Sequence, residues 1–265
     1  MSNPRVLTLL TDFGTSDVYV GVMKGAIARI NPALTVVDLT HDIPPQNLMA
    51  ARFNLMNAYR YFPPETVHVA VVDPGVGSQR RGIAIQIAAG FLVGPDNGLF
   101  SGVLSQTEAI AAVELDNPDY WHTPDPSTTF HGRDIFSPVG AHLASGIPLE
   151  NLGRAIAPDS LIRFDLPHPR RTETGIAGCI QYIDRFGNVI SNIPGTEVEG
   201  KPWSVTIPQR AIPTGRTYSD TDLDGAIALI GSHGWVEIAV NGGSAKDKLG
   251  LDWGNAIELE IARRD

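Results

Sequence analysis

Five polar clusters in this 265-residue sequence carry residues able to do chemistry. They are Thr11-Asp12-Phe13-Gly14-Thr15-Ser16-Asp17, Thr40-His41-Asp42, Asp73-Pro74-Gly75-Val76-Gly77-Ser78-Gln79-Arg80-Arg81, Gly94-Pro95-Asp96-Asn97-Gly98 and Thr129-Phe130-His131-Gly132-Arg133-Asp134. The carboxylates suit hydroxyl binding or polarisation of water, an arginine suits orienting a carboxylate, and a histidine suits proton handling. The first four clusters each follow an apolar run. In open parallel sheets, ligands sit beyond the carboxyl ends of the strands. A single carboxylate there is commonly a turn residue or helix cap; several on one edge are better explained by a polar site.

Taken singly, Asp12 suits a turn or a ligand contact, and Asp17 a helix cap. His41 and Asp42, just before Pro44-Pro45, read as structural. Asp73 reads as functional, because it ends an apolar run and its Pro-Gly-x-Gly successor permits close backbone approach to a small molecule. Spacing alone does not choose between Arg80 and Arg81. His131 stands at a helix start beside an arginine and an aspartate, which makes it a candidate. The Asp12-Phe13-Gly14 tripeptide lacks a glycine-rich phosphate loop, a strand lysine in context and a catalytic-loop signature, so a kinase is excluded. A metal-dependent hydrolase is the alternative, since Asp12, His41, Asp73 and His131 are potential ligands, but no His-x-His or His-Glu-x-x-His pair supports it.

The elements that position these residues are legible from periodicity. Residues 5–10, 35–39 and 67–72 read as strands. A helix over 19–30 places Val20, Met23, Ile27 and Ile30 on one face, and another over 47–62 places Leu48, Ala51, Leu55 and Phe62 inward. Strands at 82–87 and 91–93 flank Ala88-Ala89-Gly90 as a hairpin, and 131–143 reads as a helix with Ile135, Val139 and Leu143 inward. This strand-helix alternation predicts an α/β N-terminal domain with a central, mainly parallel sheet covered on both faces.

The remainder differs. Short strands at 178–183, 189–193, 203–207, 226–230, 236–240 and 256–261, separated by Gly, Asn, Pro and Ser, predict a smaller all-β, barrel-like domain without a long helix. The predicted division is 1–164, a polar linker at 165–173, and 174–265. Lys and Arg number 20 against 29 Asp and Glu, a formal charge of −9, which argues against nucleic acid or an anionic membrane as partner. The single Cys179 excludes an internal disulfide. No apolar run approaches the roughly 20 residues of a bilayer span, and the N-terminus lacks a signal-peptide pattern. The expectation is a cytoplasmic protein.

Six segments in order, LLTDFGTSDVYVGVMKG, VVDPGVGSQRRGIAIQI, GPDNGLF, TFHGRDIFSPVGAHLA, YIDRFGNVISNI and GSHGWVEIAVNGGSA, together resemble the S-adenosyl-L-methionine (SAM) hydroxide adenosyltransferases. These SAM hydrolases are relatives of fluorinating and chlorinating enzymes. The resemblance implies hydrolysis of SAM to adenosine and L-methionine, no cofactor, no metal, and a homotrimer with active sites at subunit interfaces. It puts the catalytic set on Asp73, Arg80 and His131, with Arg80 preferred because the family arginine follows the aspartate by seven positions. It puts ribose binding on Asp12 and adenine or methionine contacts on Asp184, Phe186, Asn188 and Tyr218. Ser232, Glu237, Val240 and the Ser244-Ala245 backbone fall in the family's C-terminal binding segment. Where the halogenating relatives carry a tyrosine and, in the fluorinating enzyme, a serine, this sequence has Asp73 and Gly132. A carboxylate there would repel a halide and polarise a water. A non-catalytic SAM or adenosine sensor is the remaining alternative; Asp73, Arg80 and His131 together favour an enzyme.

Overall fold

The computed structural model of the chain describes residues 6–165, 167–207 and 210–261. It contains two compact units, Met1–Phe164 and Asp165–Asp265. Arg5, at the start of the first expected strand, and Leu166, in the expected linker, lie outside the described residues.

The first unit is built on a seven-stranded sheet. Strands β1 (Leu7–Thr11), β2 (Val36–Thr40), β3 (Thr66–Val71), β4 (Gly82–Ile87), β5 (Gly90–Pro95), β6 (Ala109–Glu114) and β7 (Arg154–Ile156) run in the order β2-β1-β3-β5-β4-β6-β7. The β2-β1-β3-β5 pairings are parallel and the rest antiparallel. Both β1 and β3 are buried throughout, the signature of a sheet covered on two faces. Helix α1 (Tyr19–Ile30) buries Val20, Met23, Ala26 and Ile27. Asp17 does not cap it: the N-cap is Val18, without a side-chain hydrogen bond. Helix α2 (Leu48–Ala58) is capped by Asn47, whose side chain accepts from the Ala50 N–H. It ends earlier than the expected 62, relaxing into a 3₁₀ turn at Tyr59–Tyr61. The reason is Pro63-Pro64, because a proline pushes the residue before it, Phe62, into extended backbone. A short helix α3 (Ser101–Leu104) follows β5. The expected helix at 131–143 begins instead as one turn of π-helix, Gly132–Phe136, and continues as α4 (Ser137–Ala144).

Strands β6 and β7 had no sequence signal. Ala109–Glu114 is alanine-rich and carries few β-branched residues, and Arg154–Ile156 is three residues long. What matters for function is direction. The four adjacent parallel strands bring the polar segments after β1, β2, β3 and β5 to one edge of the sheet.

The second unit is an all-antiparallel sheet. Strands β8 (Arg170–Arg171), β9 (Gly175–Ile183), β10 (Val189–Pro194), β11 (Trp203–Ile207), β12 (Arg210–Ile212), β13 (Ala226–Ile230), β14 (Trp235–Val240) and β15 (Ala256–Ile261) are ordered β12-β11-β15-β9-β10-β14-β13, with β8 on β9. Bonds from Gly215 N–H to the Ala228 carbonyl and from Ala228 N–H to Pro213 nearly close it into a barrel. Its core includes Ile176, Ile180, Val205, Ile238 and Leu259. A five-residue helix, α5 (Ala245–Leu249), is capped by Ser244. Part of the segment read as a linker is ordered, since Arg170–Arg171 pairs with β9. No helix among the described residues is long and apolar enough to cross a membrane.

Helix α4 lies so close to the sheet that a Cβ on Gly140 would stand 2.5 Å from Val69 Cγ2. Alanine in a helix interior ordinarily gains about 1 kcal/mol over glycine, but overpacking costs about 1–3 kcal/mol. With the 2.5 Å approach placing the cost above the gain, Gly140→Ala is expected to destabilise the first unit by up to about 2 kcal/mol. A midpoint of thermal unfolding equal to or above that of the parent chain would contradict this packing.

Candidate active site

Asp73 leaves the buried strand β3 at its carboxyl end, and its side chain is only 5% exposed. A tight turn follows. Val76 N–H donates to the Asp73 carbonyl, Ser78 N–H and Oγ both donate to the Gly75 carbonyl, and Arg80 N–H donates to Ser78 Oγ. Gly77 is required within it: its φ is +75°, and a Cβ would stand 2.3 Å from the Thr128 carbonyl oxygen. The turn folds Arg80 back onto Asp73. Arg80 Nε donates to both carboxylate oxygens at 3.0 Å, and Nη2 donates to Oδ2 at 2.5 Å. Phe136, at the end of the π-turn, lies under the guanidinium with its ring centroid 5.2 Å from Cζ.

The same Nη2 donates to His131 Nδ1 at 2.6 Å. An arginine nitrogen can only donate, so Nδ1 is an acceptor and the neutral ring carries its proton on Nε2. The electrostatics agree. Burial and the neighbouring Arg80 charge hold the His131 pKa below its usual value, outweighing the opposite pull of Asp73 and Asp134. The three groups brought together are thus a carboxylate, a guanidinium and a neutral imidazole. Arg81 points elsewhere, to buried Asp96 and to Ser160, so the pair of arginines divides between two aspartates.

Asp12 follows β1. Its Oδ2 accepts from the backbone N–H of Gln46 at 2.8 Å. Gln46 presents that N–H with a left-handed φ of +63° after Pro44-Pro45. His41 is committed to structure, with Nδ1 and Thr11 Oγ1 2.8 Å apart. Its Nε2 lies 3.1 Å from Asp38 Oδ1, close enough for an ion pair but off the angle of a hydrogen bond. Among the described residues, no three His, Cys, Asp or Glu side chains are grouped so as to hold a metal ion. Gly132 is walled in: a Cβ would stand 3.3 Å from Met23 Sδ, 3.3 Å from Phe130 and 3.4 Å from Phe13. Phe13, Tyr19 and Phe130 form an aromatic cluster with centroids 5.2–5.9 Å apart.

The second unit gathers its own set. Asp184 Oδ1 accepts from the N–H groups of Phe186 and Asn188, and Oδ2 accepts from Asn188 Nδ2. Gly187, at φ +83°, lets this turn sit against Ser244, and its carbonyl accepts from Lys246 N–H. Phe186 is left largely exposed. Tyr218 donates its hydroxyl to Glu237 Oε1 at 3.0 Å. Burial, the Glu237 charge and that hydrogen bond push the Tyr218 pKa up to about 12, with Asp184 adding to the shift. Glu237 is buried and is also met by His233 Nε2 at 3.0 Å. Ser232 is exposed in the β13–β14 turn. Val240 and Ala245 bury their side chains in the barrel core, so what they offer a ligand is backbone. Sequence reading misses His233, which carries no motif of its own and matters through its contact with Glu237 four residues on; Gly77 and Asp134 are legible as part of their motifs, but not the contacts they make with Thr128 and Ser127.

The arrangement can orient a water against a carboxylate and bind an amphipathic nucleoside on a second surface. Comparison with known proteins points the same way. Residues 7–153 match the SAM hydroxide adenosyltransferase N-terminal domain and 178–258 the SAM hydroxide adenosyltransferase C-terminal domain. A (R)-S-adenosyl-L-methionine hydrolase of Salinispora arenicola is 39% identical over 98% of this chain and 99% of its own length. A fluorinase of Nocardia brasiliensis is more distant, at 27% identity over 97% of each chain. The crystal structure of an uncharacterized conserved protein from Thermotoga maritima superposes with a TM-score of 0.89 at 35% identity, covering 96% of this chain and 99% of that one. Matched in both units and over nearly its full length, the chain belongs to the SAM hydroxide adenosyltransferase family.

Proposed function

We propose that the protein hydrolyses S-adenosyl-L-methionine to adenosine and L-methionine, through in-line attack of a water held by Asp73 on ribose C5′. The observation that carries this reading is the Asp73–Arg80–His131 cluster at the ligand edge of a parallel sheet. The step balances simply. The water oxygen bonds to C5′, the C5′–S bond breaks with its electron pair going to sulfur, methionine leaves as a neutral thioether, and one proton is released. A sulfonium needs no acid to leave, so an electrophilic metal has nothing to activate on that side; we infer a metal-independent reaction.

The work lies in the nucleophile. Direct transfer of a proton from water to a carboxylate paired with arginine is uphill, so Asp73 acts chiefly by orienting the water and by electrostatics. Arg80 fixes the Asp73 carboxylate at both oxygens. Neutral His131 accepts from Arg80 at Nδ1, leaving Nε2–H as a donor. Asp12 is assigned to the ribose hydroxyls, with its orientation set by Gln46. The Asp184–Asn188 turn, Phe186, Tyr218, Ser232, Glu237 and the backbone at Val240 and Ala245 are assigned to adenine and methionine. Each unit carries half of the required set and exposes apolar side chains: Val18, Tyr19 and Val22 on the first, Phe186, Tyr218 and Leu223 on the second. These fit a homotrimer in which each site draws on two subunits. A sequence with a single cysteine cannot form an internal disulfide, which fits a reducing compartment, and we place the reaction in the cytoplasm.

Asp73→Asn is expected to lower kcat by about 10²-fold or more, with KM for SAM changed by less than about threefold. Steady-state adenosine release measures both, and near-parental turnover would defeat the assignment. Reaction in ¹⁸O-labelled water should place the label in the adenosine 5′-hydroxyl, read by mass spectrometry, and a chelator should leave the rate unchanged. The depressed His131 pKa also sets a sign. The ring is neutral at and above neutral pH, and protonation would turn its acceptor nitrogen into a donor facing Arg80. The kcat/KM profile should therefore be flat around neutrality and fall on acidification only below the ordinary histidine range.

A further inference from the structure

We propose that Asp134 is a positioning residue for the reaction, locking the 127–131 loop, and with it the His131 ring, against Arg80 from beneath the π-turn. The inference rests on the hydrolytic reading above. The Asp134 side chain is fully buried. Its Oδ2 accepts from the backbone N–H of Ser127 and from Arg133 Nη2, both at 2.8 Å, and its Oδ1 accepts from Arg133 Nε at 2.5 Å. Its own carbonyl accepts from the His122 N–H, and its N–H reaches the Phe130 carbonyl. The π-turn over Gly132–Phe136 is the backbone distortion that puts Asp134 under the loop while His131 leads into it.

The loop held this way is the one that touches the Asp73 turn. Ser127 Oγ accepts from Thr129 N–H, and between those two residues the Thr128 carbonyl oxygen occupies the space a Cβ on Gly77 would need. A chain of contacts thus runs from Asp134 through Ser127 and Thr128 to the turn carrying Asp73 and Arg80, while His131 closes the circuit from the other side.

Hydrogen bonding alone does not require a carboxylate here. An asparagine could accept from Ser127, and Arg133 is about one-third exposed and could be solvated. Burying a charge is costly unless it is paired and hydrogen-bonded, as Asp134 is by Arg133 and Ser127. Although burial pushes its carboxyl upward, hydrogen bonds from Arg133 and Ser127 hold the Asp134 pKa below the usual carboxylate value. The groups whose charges act on His131 are Arg80, Asp73 and Asp134, and those on Asp134 are Arg133 and His122. Asp134 joins Asp73 in offsetting part of the Arg80 field at the imidazole.

The test is an NMR titration of the His131 ring in the full-length protein, together with steady-state adenosine release. In Asp134→Asn the His131 midpoint should fall by about half a pH unit or more, and kcat should drop about tenfold to a hundredfold with KM within about twofold. In Arg133→Met the carboxylate loses its paired cation, and the midpoint should move the opposite way. A folded Asp134→Asn protein with an unmoved midpoint overturns the proposal, as does a loss of rate that merely follows the folded fraction. If Asp134→Asn does not fold, Arg133→Met decides: an upward shift supports the proposal and none overturns it. The titration needs no turnover, so a parent chain that releases no adenosine would sink the hydrolytic reading while the His131 midpoints still report on Asp134.

Discussion

One guanidinium nitrogen holds the first unit's chemistry together. Arg80 Nη2 is shared between the Asp73 carboxylate and the His131 imidazole, and because it can only donate, it dictates the state of both partners. The carboxylate is rotationally fixed by donors at both oxygens, and the ring is kept neutral with a defined tautomer. The Asp73 and Arg80 side chains are nearly buried, where an unpaired charge would be costly and a paired one interacts strongly. Mutual satisfaction with Arg80 lets a carboxylate sit nearly buried just past the end of a core strand.

The rest of the first unit serves that geometry. Four neighbouring parallel strands deliver polar segments to one edge, and the fully buried β3 leaves Asp73 little freedom. Arg81, although adjacent to Arg80, is drawn off by buried Asp96, whose Oδ1 also anchors the Ile162 N–H. That division anchors the strand start, so that the turn from Asp73 to Arg80 closes in one way. In the second unit the same logic appears on a barrel, where Asp184 satisfies its own turn and Glu237 is held between Tyr218 and His233.

Much of this was legible in the sequence because it is local. Apolar runs ending in aspartate marked β1 and β3, the Pro-Gly-x-Gly segment marked a turn, and short alternating runs marked the barrel strands. The illegible parts depend on contacts across the chain. Asp17 had the composition of a cap, but the chain enters α1 through Val18 instead. The π-turn at Gly132–Phe136 has no periodic signature distinct from a helix, and the alanine-rich β6 is a strand only because β4 and β7 flank it. Spacing could not separate Arg80 from Arg81; the burial of Asp96 does.

The crowding around Gly132 has a wider consequence. Three side chains from separate segments, Met23, Phe13 and Phe130, stand 3.3–3.4 Å from where a Cβ would be, so any side chain placed there requires its neighbours to give way slightly. Any larger residue at this position is therefore coupled to the packing of all three neighbours at once, and its tolerance depends on whether Met23 and the two rings can yield together.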